Sequence, residues 1–415
     1  MTQVLSRFWL AQRRFRNLFL LAGVGLSCFT LWMTHSLLFS PQITLGLIAP
    51  LSGDFAILGG KDTIAGAELA VEQANQAGGF LVGDRRYRVK LAIVDDENKP
   101  AATIRAADQL LRNHLLGWLH PKIHALISSS QSSLALPLAA RLQSLNPSLN
   151  LSLNPILITS ATDPAVTGQK KNVVGIGLDH YTQGSLLATF AQQTLKAQRA
   201  GVLYNPDNYY SRNVVTTFQN TLEQLGGKVV ITATYRGDSA QDLGSQWQAI
   251  ALQKPDVLLL PNYLPDIINQ GQQLKKLGQN LDPKLALNMP ILGGDSWAGL
   301  ISANLPLLEG GFFLSPWHPL IPDRQNQKFI QDYTKAYRQP PRTNAALAYD
   351  AVVMILRAIA SQQSPNPEAI FRGIKEPFTG VTGTISNFPS SFPVRSGVIT
   401  QIKNGEAEFY QQISP

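Results

Sequence analysis

From Gln42 onward the chain alternates two hydrophobic patterns: short, almost wholly apolar runs and longer stretches of helical spacing. The apolar runs are Ile43–Ala49, Ala125–Ser128, Ile156–Thr159, Val173–Ile176, Gly201–Tyr204, Val229–Thr232, Val257–Leu260 and Ile291–Leu292. Rich in Val, Ile and Leu, they predict parallel strands covered on both faces. Helical spacing runs through Thr63–Asn75, Ala101–Arg112, Leu134–Ser144, Gly184–Ala197, Ser211–Leu225, Asp266–Leu277 and Asn344–Arg357. Tyr87–Val94 differs, alternating polar and apolar residues after Gly83-Asp84, and predicts a hairpin with Gly79–Val82. Strand and helix in alternation predict an α/β protein with doubly wound parallel sheets.

The strands are too many for one sheet. Gly177–Thr182 has little propensity for either element and marks a crossing into a second lobe. Gly383–Ser386 and Arg395–Ile402 are late strands that fit either lobe, and the polar, proline-bounded Asn146–Pro155 predicts a surface loop. The length of 415 residues suits two or three domains.

Residues 1–40 are a separate object. Arg7, Arg13, Arg14 and Arg16 precede an apolar run from Leu18 to Phe39. As a helix this run spans about 33 Å, enough for a hydrocarbon core of about 30 Å. The arginines assign its N-terminal end to the cytoplasm, so the remainder is exported. No Ala-x-Ala-like site follows, which favours an uncleaved anchor over a cleaved signal. Gly25-Leu-Ser-Cys28 is a poor lipoprotein box, because Gly25 stands where Leu is usual and the residues after Cys28 stay apolar. The net charge of +8 falls to +4 once the four arginines are set aside, too little to argue for nucleic acid. With a single cysteine, no intramolecular disulfide forms.

Polar groups collect just beyond the strand ends, where open α/β sheets bind ligands. Ile43-Thr-Leu-Gly-Leu-Ile-Ala-Pro-Leu-Ser-Gly-Asp54 and Pro290-Ile-Leu-Gly-Gly-Asp-Ser-Trp297 read as two halves of one small-molecule clamp. Ser128–Ser133 is a serine-rich turn entering a helix, with hydroxyls and free amides suited to a carboxylate; such a serine also serves as an ordinary N-cap. Thr159-Ser-Ala-Thr162 is a second such turn, redirected by Asp163-Pro164. Tyr210 and Tyr263 follow strands, where a ring can cover a ligand, and Tyr209 competes for the place of Tyr210. A carboxylate in a desolvated cleft needs a cationic partner, which makes Asp295 the candidate for a ligand ammonium. His120 and His124 have helical metal spacing, but Pro121 interrupts them and no acidic or thiol ligand is near, so no metal or cofactor is expected. Gly294-Asp-Ser-Trp-Ala298 lacks the second glycine of a nucleophile elbow, and Leu58-Gly-Gly-Lys61 is too short for a phosphate loop. An enzyme is not expected.

Taken together, Gly46-Leu-Ile-Ala-Pro-Leu-Ser-Gly, Ala65-Gly-Ala-Glu-Leu-Ala-Val-Glu-Gln-Ala-Asn-Gln-Ala-Gly-Gly79, Val94-Asp-Asp-Glu-Asn-Lys-Pro-Ala-Ala102, Ser128-Ser-Ser-Gln-Ser-Ser, Thr159-Ser-Ala-Thr-Asp-Pro164, Tyr210-Ser-Arg, Gly293-Gly-Asp-Ser-Trp297 and Ala348-Tyr-Asp-Ala351 carry a likeness. In this order they resemble the bacterial leucine/isoleucine/valine-type substrate-binding proteins of ABC transporters, the type I periplasmic binding fold. The resemblance implies two Rossmann-like lobes joined by three crossings. Lobe 1 would hold residues 41–178 and 316–380, lobe 2 residues 179–315 and 381–415. By the same resemblance, Ser129, Ser160 and Thr162 hold the ligand's carboxylate and ammonium from lobe 1, while Tyr210, Tyr263 and Asp295 close from lobe 2. Leu58 departs from the aromatic usual in branched-chain binders. The implied function is capture of an amino acid or similar zwitterion for a membrane permease, from an anchored position facing the periplasm or cell exterior. The alternative is a tethered sensor reporting to a partner protein.

Overall fold

Two large sheets and a small one carry the chain. The structure is a computed structural model and describes residues 41–415 apart from 53–55, 77, 113–121, 150–153, 169, 171, 238–240, 280–288, 299, 301–306 and 387–391. The expected N-terminal anchor, Cys28 and His120 therefore lie outside the described residues, as does the side chain of Leu58.

The first sheet contains β1 (Gln42–Ala49), β2 (Phe80–Val82), β3 (Arg85–Asp95), β4 (Ile123–Ser128), β5 (Ile156–Ile158) and β6 (Val173–Gly175). Its order is β2-β3-β1-β4-β5-β6. β1 lies in the middle, parallel to both neighbours, with Gly46 opposite Ala92 and Leu126. Every residue of β1 after Gln42 is buried, as its unbroken apolar run requires. Only β2 is antiparallel, in the expected hairpin with β3.

One face of this sheet is covered by the helices Lys61–Gln76 and Thr343–Ser361, the other by Pro100–Arg112 and Ser132–Leu149. A Cβ on Gly66 would overlap the carbonyl oxygen of Ala345, so the first two helices touch backbone to backbone there. Thr343–Ser361 is the one helix among the described residues long and apolar enough to cross a membrane, and it is a core helix, mostly buried. The helix from Ser132 runs to Leu149, which corrects the loop expected from Asn146. The spacing Leu138, Leu142, Leu145, Leu149 keeps the helical period through Pro147.

The second sheet contains β7 (Arg199–Tyr204), β8 (Lys228–Thr234), β9 (Val257–Leu259), β10 (Ile291–Gly293) and β11 (Phe312–Ser315), all parallel. After a small antiparallel sheet of β12 (Phe378–Gly380), β13 (Gly383–Ser386) and β14 (Val394–Arg395), the antiparallel pair β15 (Gly397–Lys403) and β16 (Glu406–Ile413) extends it. The order is β16-β15-β11-β10-β9-β7-β8. Ile385 of β13 packs in the core around β1, while Ile399 of β15 packs in the core around β7. The chain therefore returns to the second sheet at Gly397, not at residue 381 as the sequence division has it.

Three stretches join the two halves: the segment after β6, the segment after β11, and the step from β14 to β15. Arg395 ties all three together. Its buried guanidinium donates to the carbonyl of Ile176 in the first, to Pro316 in the second at 2.9 Å, and to Thr382 at 2.7 Å. Asp350 sits behind it and accepts from the amides of Val381 and Thr382 at 2.9 and 2.8 Å, and from the Thr382 hydroxyl at 2.6 Å. Burial lowers Arg395 to about 10, restrained by the charge of Asp350, and raises Asp350 to about 6, restrained first by its hydrogen bonds from Thr382 and Val381 and then by the charge of Arg395.

Candidate functional site

The central strands of both sheets stop where the order of connection reverses, the position at which open α/β sheets form a crevice. In the first half this lies beyond β1 and β4. Ser128 ends β4, and its hydroxyl accepts from the Ser130 amide at 3.3 Å. The Ser130 hydroxyl donates in turn to the buried Asp96 carboxylate at 2.5 Å. These bonds fix the turn and leave Ser129 between them. The Ser129 amide donates to Ile48 at 3.1 Å, whereas its buried hydroxyl has no partner among the described residues.

Beyond β5 the turn Thr159–Thr162 lies alongside. Ser132 bridges the two turns: its hydroxyl accepts from the amides of Thr162 and Asp163, both at 3.3 Å. Thr162 is buried and Ser160 half-buried. Asp163 caps the short helix Pro164–Thr167 by accepting from Ala165 at 2.8 Å. Ser129, Ser160 and Thr162 therefore sit on adjacent turns of one lobe.

Across the crevice, Tyr210 contacts both Tyr263 and Asp295. The Tyr210 ring stacks on Tyr263 with centroids 5.4 Å apart. Its hydroxyl lies 3.3 Å from Asp295 Oδ1 and 3.1 Å from Gln183 Oε1. Gly294 is required here, because a Cβ would collide with the Tyr210 hydroxyl. Of the two neighbouring tyrosines it is thus Tyr210 that reaches Asp295; Tyr209 is 44% exposed beneath the Arg212 guanidinium. Burial raises Asp295 to about 6 against hydrogen bonds from Gln183, Tyr210 and the Ser296 amide. Burial, followed by the charges of Asp295 and of Asp163 from the opposite lobe, raises Tyr263 to about 12. The two walls face each other.

Three residues that do not stand out in the sequence hold this wall in place. Gln183 is fully buried; its Oε1 also accepts from the Asp295 amide at 3.2 Å, and its Nε2 donates to Leu178 at 3.1 Å in the first connecting stretch. Asn262 joins the ends of β7 and β9, donating to Leu203 at 2.9 Å and accepting from the Asn205 amide at 3.2 Å. His180 packs edge-on against Tyr210 at 5.1 Å, and its amide donates to the Thr162 carbonyl at 3.1 Å, linking the walls. Burial lowers its imidazole to about 3, so it is neutral. A glutamine inside a helical pattern and an asparagine in a turn are too common to stand out.

The arrangement offers hydroxyls and amides on one side and a desolvated carboxylate with aromatic cover on the other, a setting for a small zwitterion. His124 is absorbed elsewhere, accepting from the Thr44 amide at 3.1 Å.

Comparison with known proteins identifies the family. A Leu/Ile/Val-binding protein of Rhizobium johnstonii is 27% identical over 279 residues, covering 65% of this chain and 67% of that protein. A leucine-, isoleucine-, valine-, threonine- and alanine-binding protein of Pseudomonas aeruginosa is 24% identical over 342 residues, covering 80% of this chain and 82% of that one. The crystal structure of a leucine-binding protein from Thermotoga maritima superposes with a TM-score of 0.69 at 25% identity, covering 90% of this chain and 99% of that chain. All three are named as binding proteins. The profile of the periplasmic binding protein family matches residues 42–407, through both sheets and all three connections, and the chain belongs to that family.

Proposed function

We propose that this is an exported binding protein that closes its two lobes around an α-amino acid and delivers it to an ABC-type importer. The observation that carries the reading is Asp295, a carboxylate with raised pKa set under Tyr210 and Tyr263 and facing turns that present Ser129, Ser160 and Thr162. An ammonium group satisfies Asp295, and the two serine/threonine turns take the carboxylate. The branched-chain amino acids named for the relatives support leucine, isoleucine and valine as first candidates. Residues 18–39 serve as an uncleaved anchor, holding the protein at the membrane beside its permease.

A thermal-shift and calorimetric panel of amino acids tests the reading. A ligand at about 100 times its Kd adds about 2.7 kcal/mol, so one amino-acid class raises Tm while the others do not. Asp295→Ala abolishes that shift with the ligand-free Tm retained. Affinity is flat above about pH 7 and weakens by up to about tenfold per unit below the pKa of about 6, because binding must then expel the Asp295 proton. Undiminished binding by Asp295→Ala refutes the ammonium assignment.

A further inference from the structure

The first sheet carries a basic edge at the end opposite the crevice. Arg85, Arg86, Arg88 and Lys90 of β3 are all exposed, and Asp84 is the one acidic residue between Phe80 and Lys90. Arg88 pairs with Gln42 at the start of β1, and its amide donates to the carbonyl of Pro41 at 2.9 Å. Since β1 and β3 are parallel, Arg86 and Arg85 extend outward past the point where the chain enters the fold. Lys122, exposed just before β4, lies at the same end.

The apolar run ends at Phe39, leaving only Ser40 and Pro41 before β1. Two residues reach at most about 7 Å, less than the screening length of about 8 Å at physiological salt. The basic edge is thus held inside the range over which a charged membrane surface acts.

We propose that this edge rests on the headgroups of anionic phospholipids, so that the first lobe stands on the membrane by the pole opposite its crevice. The proposal rests on the reading of residues 18–39 as an uncleaved anchor. Each basic residue near an anionic surface favours contact by about fivefold, so the edge holds the lobe upright where a two-residue tether alone leaves it free to tilt. The second lobe, lacking the tether, stays clear of the surface.

The test uses the full chain in vesicles that carry an acceptor dye on the lipid. The donor dye is attached at Leu81→Cys, a half-exposed position paired with Arg86, in a Cys28→Ser background. A control donor sits at Leu252→Cys, 70% exposed on the second lobe. Energy transfer at position 81 is expected to be higher with phosphatidylglycerol than with phosphatidylcholine alone. It should return to the neutral-lipid value in about 0.5 M salt, where screening falls to a few ångströms, and in Arg85→Glu/Arg88→Glu/Lys90→Glu, while position 252 stays unchanged. Equal transfer at position 81 in both lipids, with the chain still floating with the vesicles after an alkaline wash, overturns the proposal and leaves the anchor intact. Failure to float refutes the anchor, and the proposal with it.

Discussion

Replacing Arg395 by Met tests whether one side chain holds the three connections together. The change removes donors to Ile176, Pro316 and Thr382 and leaves Asp350 buried without its countercharge. Each of the three buried carbonyls left without its donor costs about 1–3 kcal/mol, so the loss is at least about 3 kcal/mol. At about 2–4 °C per kcal/mol for a large domain, Tm falls by at least about 6 °C in a scanning calorimeter at pH 8. The loss depends on pH with a definite sign. The folded Asp350 binds its proton up to about 6, above the ordinary 3.8, so its contribution is full below the ordinary value and lost as pH rises through about 6. At pH 5 the carboxyl is already neutral, and removing Arg395 strands no charge, so the drop in Tm is smaller there. Adding Asp350→Asn to Arg395→Met recovers part of the drop at pH 8. An equal drop at both pH values, with nothing recovered by Asp350→Asn, refutes the electrostatic coupling of the two groups.

Gln183→Leu removes the acceptor that orients Tyr210 and the Asp295 amide, and is expected to weaken amino-acid binding about tenfold or more, by about 1.4 kcal/mol or above; unchanged affinity by calorimetry shows that the tyrosine needs no such guide. Gly66→Val forces apart the helices Lys61–Gln76 and Thr343–Ser361 and is expected to cost at least about 1–3 kcal/mol. A denaturation midpoint equal to that of the parent protein rules out the backbone contact.

The strands were legible because burial on both faces leaves an unbroken apolar run, as in Ile43–Ala49. Two late elements, Arg324–Tyr337 and β16, were not. Arg324–Tyr337 is a polar surface helix whose signal is Asp323, which caps it by accepting from Gln325 and Asn326, and a lone aspartate is weak notice. β16 alternates exposed and half-buried residues at the sheet edge, with little apolar content to mark it. Residue types at the site, Asp295 and the two serine/threonine turns, stand out at strand ends. Their placement depends on Gln183 and Asn262, whose role exists only once distant strands are brought together. The same is true of Arg395, which in sequence is one more basic residue in a strand.

The contact between Gly66 and Ala345 also governs how the protein comes into being. A chain made from its N-terminus presents the helix Lys61–Gln76 early, yet the helix that covers it arrives only with Thr343–Ser361. The five parallel strands β7 to β11, by contrast, come from one uninterrupted stretch, Arg199–Ser315. The second lobe can begin to consolidate during synthesis, whereas the first waits, with apolar surface uncovered, for contacts of very long sequence separation. The half that emerges first waits long for its cover, and in that interval the chain is open to aggregation and to proteolysis.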